Sequence, residues 1–125
     1  MGIFTTTVRV GNPNGGDLTE IEALVDTGAS DSMFPASLLE NLHLAPRSQV
    51  DYALADGAEV RFGRGQALIN IDGRDGICPV IFGPEGHDNC LIGGTTLQIL
   101  MFAVDPVNEV LTPTNRGRLG FGGKL

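Results

Sequence analysis

Glycine and proline punctuate this chain so often that no long helix can run through it. There are 18 glycines and 7 prolines among 125 residues, one residue in five, where average usage is about 12%. Proline costs a helix interior about 3 kcal/mol and glycine about 1, so a helix bundle or coiled coil is excluded. Short strands joined by turns are what such spacing permits. With 42% hydrophobic residues, the chain can still build a core and is expected to be ordered.

The formal net charge of −7 opposes a nucleic-acid or anionic-membrane partner, since phosphate binding needs clustered cations. The longest wholly apolar run is Ile99 to Val104, and no cationic stretch followed by an apolar one opens the chain. Neither a signal peptide nor a membrane span is expected. Two cysteines, Cys78 and Cys90, are too few for a disulfide framework, which points to reduced thiols and a cytoplasmic location.

Residues 3–10 read as a strand with Phe4, Thr6, Val8 and Val10 on one face, and residues 20–25 as a second. Residues 35–42 read as a short helix with Pro35 near its first turn and Leu38, Leu39 and Leu42 facing inward. Residues 49–54 and 58–62 flank Ala55-Asp56-Gly57, a strong hairpin signal. Strands are expected at 66–72 and 77–82, with residues 73–76 as the turn between them. A short helix capped by Thr95 or Thr96 should carry Leu97, Ile99 and Leu100, and two last strands are expected at 102–104 and 109–111. Residues 1–115 make one domain on this reading, and 116–125 a loose, basic, glycine-rich tail. The fold class is all-β with one or two short helices.

Chemistry concentrates at Ala23-Leu24-Val25-Asp26-Thr27-Gly28-Ala29. A carboxylate that ends a buried strand, in a turn that glycine permits, is held rigidly and still reaches a cleft. Taken alone, Asp26 and Thr27 could merely bond their own turn. The context adds Leu91-Ile92-Gly93, a second apolar-apolar-Gly element, with the Gly57 hairpin between the two and Gly83-Pro84 just before it. That order, over roughly residues 7–111, resembles the retropepsin family, the retroviral-type aspartic proteases and their cellular and bacterial relatives. The wording of Leu54-Ala55-Asp56-Gly57 and Val104-Asp105-Pro106 is closer to soluble prokaryotic members than to viral ones.

The resemblance implies a retropepsin-like half-barrel that pairs as a two-fold homodimer and hydrolyses peptide bonds without metal or other cofactor. Asp26, Thr27 and Gly28 would be catalytic. Ala29, Ser30, Asp31 and Leu91 would line the substrate, under a flap formed by Leu54, Ala55, Asp56, Gly57 and Ala58. The chain has one Asp-Thr-Gly, so the second acid would be Asp26 of a second chain, and Thr27 would bond across the dimer axis. Two carboxylates about 3 Å apart cannot both ionise cheaply and share one proton. A serine in place of Ala29 could favour the ionised carboxylate by a hydrogen bond, which alanine cannot. An activity optimum between mildly acid and neutral pH is therefore expected, and a pH–rate profile peaking below about pH 3 would contradict it.

Many retroviral members carry an aspartate at the position of Ser30 and an arginine at that of Gly94, joined as an ion pair. Both are missing here, which puts in question how tightly the helix after Gly93 is tied to the active turn. Asp31 has two readings, a substrate contact or a solvated strand residue. His87 and Asp88 are expected in a loop bordering the cleft, with no ligand spacing for a metal. Two other functions fit the same residues: a dimer that grips extended peptides but cleaves them weakly or not at all, and a structural role in which Asp26 only stabilises its turn.

Overall fold

The computed structural model describes residues 4–115. Nine strands and two short helices follow one another as β1 (Phe4–Gly11), β2 (Thr19–Val25), β3 (Ser32–Pro35), α1 (Ala36–Asn41), β4 (Ser48–Ala53), β5 (Glu59–Ile71), β6 (Arg74–Gly83), β7 (Leu91–Ile92), α2 (Gly94–Leu100), β8 (Phe102–Asp105) and β9 (Val110–Pro113). A 3₁₀ turn at His87–Asn89 precedes β7. The all-β reading holds. The expected tail at 116–125 lies outside the described residues.

The main sheet runs β1-β2-β7-β3-β6-β5-β4, and an added β1–β5 pairing closes six of these strands into a ring. Closure removes the open edges that a sheet this size would otherwise expose. Alternation supplies the interior: Val8 and Val10 from β1, Ala23 and Val25 from β2, Ala67, Ile69 and Ile71 from β5 are all buried. Leu39 brings α1 onto this core beside Phe34 of β3, while Leu97 and Leu100 bring α2 onto it. Strand β4 stays outside the ring, paired among the described residues to β5 alone. Strands β8 and β9 form a separate two-stranded hairpin, clipped to the body by Arg74, whose guanidinium donates to the carbonyls of Leu100, Met101 and Thr114.

Four local expectations change. The separate strands foreseen at 58–62 and 66–72 are one 13-residue strand, β5. Gly63 and Gly65 do not break it. They let the Ala45-Pro46 segment approach, because a Cβ on Gly63 would stand 2.7 Å from Pro46 Cβ and one on Gly65 3.1 Å from the Ala45 carbonyl oxygen. The turn placed at 73–76 is instead the two residues Asp72 and Gly73, both with positive φ (49° and 83°), the geometry of a tight hairpin. Strand β3 was absent from the sequence reading. Finally, neither Thr95 nor Thr96 caps α2: Gly93 is the cap residue, with no side-chain bond, and Ile99 is exposed. No helix among the described residues is long and apolar enough to cross a membrane.

Candidate active site

Strand β2 ends at Val25, and the next residue, Asp26, is pinned from the neighbouring strand by its N–H bonding the Ile92 carbonyl at 2.9 Å. The parallel pairing of Leu24 with Leu91 and Val25 with Ile92 continues this grip. The chain then reverses. Ala29 N–H returns to the Asp26 carbonyl at 3.2 Å, and Gly28 N–H donates to Asp26 Oδ1 at 3.0 Å. The carboxylate is thus oriented by its own turn, as in an Asx turn, while Thr27 and Gly28 remain exposed.

The start of α2 is tied to this turn by main chain and small hydroxyls. Gly94 N–H donates to the Ala29 carbonyl at 2.8 Å and Thr95 N–H to the Ser30 carbonyl at 3.0 Å. Gly93 N–H reaches Ser32 Oγ at 3.1 Å, and Ser32 Oγ shares a 2.6 Å bond with Thr96 Oγ1. The first helical N–H groups, which a side-chain cap would otherwise satisfy, are taken by the turn. So the loss of an ion pair between the positions of Ser30 and Gly94 does not leave the helix untethered. Gly93 is required by contact: a Cβ there would lie 2.7 Å from the Asp31 carbonyl oxygen and 2.9 Å from that of Ala29.

A cleft of about 460 Å³ opens over the turn, lined by Asp26, Gly28, Ala29, Ser30, Asp31, Met33, Tyr52, Ala53, Leu54, Ala55, Phe62, Ile81 and Leu91. Of the residues singled out from sequence, Asp26, Gly28, Ala29, Ser30, Asp31, Leu54, Ala55 and Leu91 meet here. Asp56, Gly57 and Ala58 form the exposed hairpin tip beyond it, where Ala58 N–H bonds Asp56 Oδ1 at 2.9 Å and Gly57 holds φ at 87°. Met33, Tyr52, Ala53, Phe62 and Ile81 were not named as lining residues from sequence, although Tyr52, Ala53 and Phe62 fall in the hairpin, residues 52–62, that the resemblance assigns to a flap. Ile81 was legible only as a strand residue, and Met33 belongs to the overlooked β3.

Asp31 is not the solvated strand residue of one reading, and it lines the cleft. It is 7% exposed, with Arg64 Nε at 2.8 Å from Oδ2 and an Arg64 terminal nitrogen at 3.3 Å from Oδ1. Tyr52 Oη donates to Oδ2 at 3.0 Å. Burial pushes the Asp31 carboxyl up, but the bonds from Arg64 and Tyr52 and the Arg64 charge outweigh it and leave the group below its usual range. Tyr52 moves the other way, raised by burial and then by its bond to Asp31.

His87 and Asp88 do not border the Asp26 cleft within this chain. They line a separate hollow with Thr5, Glu20, Ile21, Glu22, Leu24 and Cys90. Cys78 and Cys90 are buried free thiols, both pushed up by burial, which leaves them protonated and poor nucleophiles or metal ligands.

A family model described as aspartyl protease matches residues 6–96. Among solved structures, the solution structure of the simian foamy virus (mac) protease is similar to this chain, with a TM-score of 0.56 and 19% identity. The match covers 78% of this chain and 96% of the viral one. At that identity the likeness is one of fold. No curated protein matches.

Proposed function

The chain belongs to the aspartyl protease family, and from that premise we propose that it is an endopeptidase whose two catalytic acids are the Asp26 residues of a homodimer. The observation that carries this reading is the company Asp26 keeps. Among the described residues two carboxylates line the cleft, Asp26 and Asp31, and Asp31 is already held by a two-pronged arginine and a tyrosine hydroxyl. Asp31 therefore cannot share a proton with Asp26, and a single chain offers only half of the acid–base pair that the chemistry needs.

Peptide hydrolysis without metal requires one ionised carboxylate and one carboxylic acid side by side. A water between two Asp26 side chains gives a proton to the ionised one and attacks the peptide carbonyl carbon. The protonated partner donates its proton to the carbonyl oxygen as the tetrahedral intermediate forms. Collapse of that intermediate breaks the C–N bond. The departing nitrogen takes a proton from one carboxyl of the pair, and one hydroxyl of the intermediate gives its proton to the other. A carboxylic acid, an amine and a singly protonated pair remain. In this reading exposed Thr27 bonds across the dimer axis, and exposed Gly28 lets the substrate backbone come close. The hairpin tip, Leu54 to Ala58, supplies main-chain groups that can pair with an extended peptide while excluding water. Met33, Phe62, Ile81 and Leu91 give the cleft apolar walls for its side chains.

Asp26→Asn tests the assignment directly. It removes the carboxylate and changes shape little, so cleavage of a mixed peptide library should fall at least about a thousandfold, about 4 kcal/mol of transition-state stabilisation. Turnover undiminished in Asp26→Asn would overturn the reading.

A further inference from the structure

We infer that Asp31 is a positioning residue whose buried carboxylate anchors the flap hairpin over the Asp26 turn through Tyr52 and Arg64. The effect on substrate rests on the proteolytic function proposed above, and the anchor itself does not. Strand β4 hangs on the end of the sheet, with β5 as its one ladder partner among the described residues. Pairing with β6 holds β5 only from Gly63 onward, so towards the tip Glu59 to Phe62 have β4 alone beside them. Asp31 adds a side-chain tie to each arm, to Arg64 where β5 still pairs β6 and to Tyr52 beyond it.

On β5, Arg64 lies opposite Ser48, at the foot of the hairpin, and its two nitrogens set the plane of the carboxylate. On β4, Tyr52 lies opposite Val60, one residue short of the strand's end, and its hydroxyl bonds Asp31 Oδ2 at 3.0 Å. The Tyr52 ring sits 6.3 Å from that of Phe62, tilted at 40° to it. Asp31 is joined to Asp26 by only four intervening residues, and main-chain bonds from α2 hold that stretch. Cleft floor and flap therefore form one mechanical unit, and the tyrosine hydroxyl is the link that deletion would sever.

A lid held this way governs capture and release of substrate more than the chemical step. Tyr52→Phe removes the hydroxyl and keeps the ring. In the full-length chain, amide hydrogen exchange over residues 49–60 should quicken at least about fivefold while strands β1 and β2 keep their protection. The KM for a cleaved peptide should rise about three- to tenfold, with kcat within about twofold. Arg64→Lys keeps the charge, loses the two-pronged grip, and should give an intermediate change in the same readouts; it also serves should Tyr52→Phe fail to fold. Unchanged flap exchange in both variants would overturn the anchor, as would a loosening shared equally by the ring strands. A loosened flap with KM unmoved would overturn its role in substrate capture. A wild-type chain that cleaves no peptide would sink the proteolytic reading instead, leaving the exchange comparison to decide the anchor.

Discussion

Asp26 and Asp31 are close neighbours in sequence with opposite surroundings. Asp26 faces the cleft and bonds one N–H of its own turn, while Asp31 is buried among donors. That contrast has a thermodynamic signature. Since the folded-state pKa of Asp31 is depressed, its contribution is fully present above the ordinary aspartate value of about 3.9 and is lost as pH falls through the lower folded value. Wild type should therefore lose stability below about pH 4 more steeply than Asp31→Asn, and near neutral pH the variant should be less stable by about 1–3 kcal/mol. Parallel acid-unfolding curves for the two proteins would contradict this. Asp26 and its turn were legible in the sequence because a short motif carries them. The Tyr52 and Arg64 partnership was not, because it depends on three segments meeting in space and no local pattern encodes that.

Elements were readable in proportion to their alternation. Strands β1, β2 and β4 and the turn at Asp56-Gly57 announce themselves by period-two burial and turn chemistry, and they stand within a residue or two of expectation, whereas β5 runs on to Ile71. Strand β3 has four residues, Ser-Met-Phe-Pro, too few for a period and ending in a residue that discourages strand assignment. Its existence depends on β6 and β7 flanking it. The glycines of β5 look like breaks when read locally and prove to be sites of close packing. Gly76 is similar, since a Cβ there would meet Ile99 Cγ2 at 2.8 Å. The most demanding such contact is at Gly93, whose neighbours are backbone atoms that cannot yield. Gly93→Ala should destabilise the protein by about 3 kcal/mol and detach α2 from the active turn. A melting temperature within about 2 °C of wild type would show that the turn can relax.

At the scale of the whole molecule, ring closure came from a pairing no local reading could foresee, that of Arg9 to Gly11 with Leu68 to Asn70. It makes the domain a closed ring from which the β4–β5 hairpin and the β8–β9 hairpin project. The fold brings one Asp26 to the cleft floor, with the other cleft carboxylate committed elsewhere, so catalysis on this account belongs to an assembly of two chains. The most direct test is cleavage rate measured across a wide range of protein concentration, with solution mass recorded at each point. We expect the active species to weigh twice the 13.1 kDa chain, with the rate falling as the square of concentration once dilution separates the copies, and with excess Asp26→Asn chain poisoning wild type. Cleavage that stays proportional to concentration in a species of single-chain mass, indifferent to that variant, would contradict the account.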